Sequence, residues 1–143
     1  MKSAGIEKNS GFSLIELLVT LTVMAILTSF AYTSYESAIT KNRRIEGKIA
    51  LVDLQQRMER HFATYHNYSS ATIGNGVNAL LSTPLSEHGW YAVSIAQQTA
   101  SSYLLHATPQ GVHAAADEQC GTLTLSHLGL RGIAGGGNGN GCW

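Results

Sequence analysis

A single carboxylate, Glu16, lies within a long apolar segment and raises the first chemical question about this chain. The segment, residues 12–35, reads FSLIELLVTLTVMAILTSFAYTSY and carries no other charge. A charge at the centre of a membrane helix costs about 2.5–3.5 kcal/mol on insertion scales, so such a residue usually has a function and a partner. Cleavage after Gly11 would supply that partner, because the new α-amine of Phe12 would lie about one helical turn from Glu16. We expect the amine of one subunit and the carboxylate of its neighbour to neutralise each other, which would fix the axial register of the two subunits.

Two cysteines, Cys120 and Cys142, stand near the end of the sequence and bound a segment of about 23 residues. In an exported protein they are expected to form a disulfide. The chain-entropy model assigns a bridge of this span a stabilisation on the order of 3 kcal/mol. Two free thiols are the alternative. A zinc site is disfavoured because the sequence has no C-x-x-C pair and no H-x-x-x-H spacing.

No other set of side chains indicates catalysis or cofactor binding. The six histidines occur at no metal-ligand spacing and are interpreted as surface or hydrogen-bonded residues. The glycine run of residues 132–141 lacks the G-K-[ST] ending of a phosphate-binding loop. No Ser/His/Asp or Cys/His arrangement is visible. We therefore predict a protein that is not an enzyme and holds neither a cofactor nor a metal.

The charges are unevenly distributed, although nine Lys and Arg balance nine Asp and Glu. Every Lys and Arg except Arg131 lies at or before Arg60, and the part of the chain after His61 is slightly acidic. DNA binding needs several cations to neutralise phosphates, so this part is not favoured as a DNA-binding surface. Four basic residues of the preceding segment are expected near the membrane, facing lipid head groups or neighbouring subunits: Lys41, Arg43, Arg44 and Lys48.

Two consecutive helical segments must position these groups. Residues 12–35 are apolar on every face and would form about 36 Å of helix, enough to cross a hydrocarbon core of about 30 Å. Residues 36–65 place apolar side chains at steps of three and four. Because Gly47 is the only Gly and no Pro occurs in these segments, we predict one helix of about 50 residues, half in lipid and half packed on a head. The predicted apolar stripe comprises Ile45, Ile49, Leu51, Val52, Leu54, Met58, Phe62 and Tyr65.

The rest of the sequence predicts an α+β head, in which a small antiparallel sheet of three or four strands lies on the second half of the helix. Residues 66–89 and residues 111–119 are predicted to be connections, since they are rich in polar and turn-forming residues. Residues 129–142 are rich in Gly and Asn and are predicted to be irregular. Alternating apolar and polar residues predict the strands, the first two forming a hairpin: Trp90–Ala96, Ser102–Thr108 and Gly121–Ser126.

Residues 11–16, GFSLIE, resemble the class III signal of type IV prepilins and pseudopilins, G-F-[ST]-L-x-E. The resemblance implies that a prepilin peptidase cuts between Gly11 and Phe12 on the cytoplasmic side and methylates the Phe12 amine. It also implies that Glu16 sets the register between subunits and takes part in their recruitment.

The whole chain is similar to the type IV pilin plan, and its ending looks most like minor pilins of the PilE kind. The resemblance implies that Cys120 and Cys142 bound the loop that this family calls the D-region. Two positions depart from many major pilins, which carry a Gly and a Pro within the membrane helix where this chain has Ala25 and Thr33. Since both helix breakers are missing, we expect less local melting of this helix in a filament.

The resemblance implies three parts: a cleaved leader (residues 1–11), a transmembrane and filament-core helix (residues 12–35), and a head (residues 36–143). The N-terminus would be cytoplasmic and the head periplasmic until the subunit leaves the inner membrane for an extracellular pilus. Charge counting alone favours the opposite orientation, because more basic residues follow the span than precede it. The implied partners are other pilin subunits, prepilin peptidase, the inner-membrane assembly machinery and the lipid bilayer.

The predicted function is a structural subunit, of the minor kind, of a type IV pilus that serves adhesion, twitching motility or DNA uptake. Two alternatives within this family are a DNA-binding minor pilin that acts as a DNA-uptake receptor and a type II secretion pseudopilin. Outside it, the sequence also permits a single-span membrane protein or a secreted protein whose ordinary signal peptide ends at Ser29-Phe30-Ala31. The last alternative leaves Glu16 unexplained.

Overall fold

The computed structural model describes residues 12–135, 137 and 139–143. It divides into two compact units, Met1–Ser37 and Ala38–Trp143. Helix α1, Leu14–Tyr65, is 52 residues long and confirms the predicted long helix. It is long and apolar enough to cross a membrane.

In the first unit, the described residues form a regular helix whose apolar side chains are exposed. Its polar side chains bond within the helix itself. The hydroxyls of Thr22 and Thr28 donate to the carbonyls of Leu18 and Met24 at 2.8 and 2.7 Å. Such bonds satisfy a hydroxyl without any external partner, which is the requirement that a hydrocarbon environment imposes.

In the second unit, one face of α1 packs on the sheet and is buried. Its residues follow spacings of three and four, as expected for a helix with one covered side. The predicted stripe is wrong in part, because Ile45, Ile49 and Val52 lie on a different face and are exposed. Tyr65, at the end of the helix, is exposed as well. The buried face is formed by Arg44, Gly47, Leu51, Leu54, Met58 and His61.

Four antiparallel strands form the predicted sheet. In their spatial order they are β3 (Tyr91–Gln98), β4 (Tyr103–Pro109), β5 (Thr122–Ser126) and β6 (Arg131–Ala134), and the two shorter strands that precede them in the chain are described below. The register between β3 and β4 shifts between Ile95 and Gln97, so strict alternation ends there. Alternate side chains of the strands point to α1 and complete the core: Tyr91, Val93, Tyr103, Leu105, Ala107, Leu123 and Leu125.

Three regions predicted to be irregular contain short elements. Residues 66–89 include a small parallel pair, β1 (Thr72–Ile73) and β2 (Ala79–Leu81). The connection after β4 includes helix α2, Gly111–Ala116. Strand β6 lies in the Gly-rich region, where its pairing with β5 overrides a poor local strand propensity. Elements of two to six residues depend on tertiary contacts, so local sequence patterns reveal them poorly.

Candidate functional site

The processing site predicted at the N-terminus lies at the edge of the described residues. Gly11 is outside them, whereas Phe12 is described and exposed. Glu16 lies in the first turn of α1, where its backbone N–H donates to the Ser13 carbonyl at 3.0 Å. An acidic residue in the first turn also suits the positive end of the helix dipole.

The predicted disulfide joins Cys120 to Cys142. Arg44 of α1 contacts the chain three residues before Cys120 and one residue before Cys142. Its Nε and Nη2 donate to Asp117 Oδ2 and Oδ1 at 3.0 and 2.5 Å, and its Nη1 donates to the Gly141 carbonyl at 3.0 Å. The Arg44 and Asp117 side chains are only 10% and 1% exposed. We call this set of contacts the Arg44 clasp.

The expectation that Arg44 faces lipid head groups or neighbouring subunits is therefore wrong. Its guanidinium is buried against the head because a buried carboxylate, 73 residues later in the chain, needs a charged partner. Arg43 is also used within the head, where its guanidinium carbon lies 3.7 Å from the centroid of the Trp90 ring. This geometry is a cation–π contact. Lys41 remains exposed.

Two further buried groups extend the Arg44 clasp. The Tyr91 hydroxyl donates to Asp117 Oδ2 at 3.3 Å, and His113 Nε2 lies 3.0 Å from that hydroxyl. Burial raises the pKa of Tyr91, and the nearby Asp117 carboxylate raises it further. Burial lowers the pKa of His113 below 6.5. Among the described residues, His113 Nδ1 has no hydrogen-bond partner. The cluster is sealed from solvent, so its chemistry is that of a structural network.

Lys48 and Arg131, which the sequence separates widely, line one cleft of about 410 Å³. We call it the basic cleft. Burial lowers the pKa of Lys48, and the positive charges of Arg44 and Arg131 lower it further. Arg131 also lies over the Trp143 ring, with its guanidinium carbon 5.5 Å from the ring centroid. The lining residues are Lys48, Ile49, Val52, Asp53, Gln56, Arg131 and Trp143.

A second cleft, of about 400 Å³, lies between α1 and the chain segment around residues 81–88. Glu46 closes one side of it by accepting from the His88 backbone N–H at 2.9 Å and approaching the His88 ring at 3.1 Å. Burial alone would raise the pKa of Glu46, but hydrogen bonds from Ser86 and His88 outweigh it and lower this pKa. Most of the remaining lining is apolar, although Asn42, Asp53 and Glu87 also border the cleft.

Glu59 of α1 links the helix to β4 and to the loop that follows the helix. It accepts from the Tyr103 hydroxyl at 2.6 Å and from the Tyr68 hydroxyl at 3.1 Å. Burial raises the pKa of both phenols, and the Glu59 carboxylate adds to the effect. No sequence pattern indicated this shared acceptor. In the described part of the chain, no three His, Cys, Asp or Glu residues are grouped as a metal site would require.

Comparisons with known proteins give two matches to families. A family model described as "Type IV minor pilin ComP, DNA uptake sequence receptor" matches residues 33–124. A model of the prokaryotic N-terminal methylation motif matches residues 7–32, which include the GFSLIE string. No curated protein matches the chain. Among solved structures, a type IV pilin from Shewanella oneidensis is similar, with 22% identity and a TM-score of 0.47 over 73% of this chain and 97% of that one.

The first of these matches covers more than half of the chain. The predicted α+β arrangement, with a long N-terminal helix, an antiparallel sheet and a C-terminal disulfide, is present. The resemblance inferred from the sequence is therefore confirmed, and the chain belongs to the type IV minor pilin family that this model describes.

Proposed function

We propose that this chain is a minor subunit of a type IV pilus filament, held in the inner membrane by residues 12–35 before assembly. The observation that carries the proposal is the match to the N-terminal methylation motif directly before a minor pilin head. Prepilin peptidase would remove residues 1–11 by cutting between Gly11 and Phe12 and would methylate the Phe12 amine. The Glu16 carboxylate would then pair with the amine of a neighbouring pilin.

Exposed apolar side chains on the second half of α1 support a role in packing with other subunits. Ile49 is 63% exposed, and Ile45 and Val52 lie on the same face. Grouped apolar residues at a protein surface mark sites of protein contact. In the proposed filament they would be covered by neighbouring pilins, with the head outermost.

The pilin proposal is tested by replacing the carboxylate without disturbing the span. We expect Glu16→Ala to insert in the membrane and to be cleaved, yet to be missing from sheared filaments, because the carboxylate that pairs with the amine of a neighbouring pilin is lost. Glu36→Ala is the matched control, since it removes a second acid of the same helix. Normal incorporation of the Glu16 variant would contradict the assembly role. A mature N-terminus at Tyr32, measured by mass, would contradict the pilin pathway itself.

A second candidate function is DNA binding by the head, which the description of the matching family favours. The charge distribution along the sequence argued against it, because Arg131 is the only Lys or Arg after His61. The basic cleft weakens that objection, since Lys48 joins Arg131 there. A salt-dependent change in the anisotropy of labelled DNA on adding the purified full chain would support this candidate. No change at 50 mM salt would exclude it.

A further inference from the structure

A groove of about 360 Å³ lies between β1 and the outer edge of β3. Thr72 and Ile73 line one wall, and Val93, Ser94 and Ile95 line the other. We call it the strand groove. Among the described residues that border it, none belongs to α1 and none carries a charge. It is therefore distinct from the face of α1 that neighbouring pilins would cover.

Backbone groups on the β3 wall lack partners. The Val93 N–H points out of the sheet and donates to the Pro84 carbonyl at 2.7 Å. Successive residues of an antiparallel strand alternate in the direction of their backbone groups, and the register with β4 is regular from Val93 to Ile95. The N–H and C=O of Ile95 therefore also point away from β4. In the described part of the chain, neither group has a hydrogen-bond partner there.

The β1 wall offers a second pair of free groups. The N–H groups of Thr72 and Gly74 donate to the carbonyls of Asn78 and Leu81, at 3.1 and 2.8 Å, so these two residues face β2. Ile73 lies between them, and its N–H and C=O point to the opposite side. Within residues 12–135, no hydrogen bond satisfies them. The strand groove thus has unpaired backbone donors and acceptors on both walls, the feature that lets a sheet edge pair with another strand.

The strand groove is bounded at both ends, which limits what fits into it. The Gln98 side chain links the two walls at one end, where its Nε2 donates to the Ala71 carbonyl at 2.9 Å, and Pro84 borders the other end. Val93 to Gln98 span about 16 Å of strand, the length of about five extended residues. The register shift that follows Ile95 bends the edge, so a long strand could not continue the pairing.

We propose that the strand groove docks an extended, uncharged segment of a partner protein, about five residues long, as an added strand beside β3. Main-chain groups of the segment pair with Ile95 on one side and Ile73 on the other, and the half-buried side chains of these two residues receive an apolar side chain of the segment. Strand addition draws its affinity from the main chain and its specificity from alternate side chains. A charged segment is disfavoured because the groove offers no opposite charge. The proposal is independent of the DNA-binding candidate.

The test follows amide hydrogen exchange of the isotope-labelled full chain in detergent micelles by NMR. The probe is the capped, uncharged pentapeptide SVTVS, and the control peptide has the same sequence with a methyl group on its central backbone nitrogen. We expect a Kd on the order of 1 mM, as for a few net backbone hydrogen bonds. At about 5 mM probe, exchange of the Ile73 and Ile95 amides should slow about sixfold, whereas that of Ser94, which pairs with His106 of β4, should not change. The methylated peptide should bind about fivefold more weakly, because one donor is lost.

A charge placed in the groove tests the proposal from the protein side. Ser94→Lys adds a lysine at an exposed position of the β3 wall and should weaken binding of the probe by about fivefold or more, since lysine at an edge blocks strand addition. Ser101→Lys adds the same charge at the exposed turn beyond β3 and should leave binding unchanged. Near-UV circular dichroism checks that both variants keep the packing of the head. The comparison of the two peptides depends on neither variant.

Unchanged exchange of Ile73 and Ile95 at the same probe concentration, or an equal response to both peptides, would overturn the inference. Equal binding of the probe by the two lysine variants would do the same. If exchange at these amides slowed with protein concentration and without peptide, a second copy of the chain would occupy the groove and the inference would fail. None of these results bears on the pilin proposal, which incorporation of the Glu16 variant tests separately.

Discussion

Replacing Arg44 by Met is expected to destabilise the head strongly. The change keeps a long apolar side chain but removes the three hydrogen bonds of the Arg44 clasp. Asp117, whose side chain is 1% exposed, would keep only the Tyr91 hydroxyl at 3.3 Å and the more distant His113 ring. Breaking a buried ion pair by removing one partner costs about 3–5 kcal/mol.

Such a loss is large beside the 5–15 kcal/mol that stabilises an ordinary domain. For a unit of roughly a hundred residues, about 4 °C per kcal/mol gives a fall in Tm of about 12–20 °C. The assay is thermal unfolding of the full chain in detergent without reductant, followed by near-UV circular dichroism. This signal reports the packing of aromatic side chains in the head.

Two further variants separate the buried charge from general disruption. Adding Asp117→Asn to Arg44→Met should recover part of the loss, because no unpaired charge remains buried. Arg57→Met breaks an ion pair whose two side chains are 39% and 43% exposed, together with one hydrogen bond to the Leu80 carbonyl, so it should cost about 1–2 kcal/mol, less than Arg44→Met. If Arg44→Met and Arg57→Met lowered the Tm equally, the argument from the buried pair would be refuted.

Three other substitutions test the packing, the disulfide and the buried imidazole. A Cβ on Gly47 would lie 2.9 Å from atoms of the Tyr91 ring, so Gly47→Ala should cost about 1–2 kcal/mol in urea unfolding despite its better helix propensity; a gain in stability would contradict this contact. Replacing Cys120 and Cys142 by Ala should lower the unfolding free energy by about 3 kcal/mol, and an unchanged urea midpoint would show that the bridge contributes nothing. Burial lowers the pKa of His113, so this imidazole binds a proton more readily in the unfolded chain than in the folded one. The free energy of unfolding should therefore fall as the pH drops below 6.5. His113→Gln should flatten this fall between pH 7.5 and 5.5, and an identical slope in the variant would contradict the argument.

Local patterns predicted the parts of the fold that depend on nearby residues. The long helix follows from the lack of Pro, and the hairpin of β3 and β4 follows from alternating apolar residues close in sequence. The face of the helix was harder to assign. Residues 45–58 carry apolar side chains on two faces of the helix. Packing against the sheet covers Leu51 and Leu54 and leaves Ile49 exposed.

The contacts of the candidate site could not be predicted in the same way. Arg44 and Asp117 are 73 residues apart, and Lys48 meets Arg131 across the fold. A basic residue on a helix has the same local pattern whether it faces lipid, solvent or a buried acid. Only the fold of the sheet and of the disulfide-bounded segment brings the partner charge to it.

The hydroxyls of the first unit affect how the subunit passes from lipid into contact with other helices. Thr20, Thr22, Thr28 and Ser29 all donate to carbonyls of their own helix, at 2.7 to 2.9 Å. A helix that carries its hydrogen bonds with it need not exchange any of them when lipid tails are replaced by other helices. In the proposed pilus, Glu16 would then be the group in this stretch whose polar partner changes on extraction. Moving a subunit from its membrane store into the filament would therefore require no exchange of hydrogen bonds by these four hydroxyls.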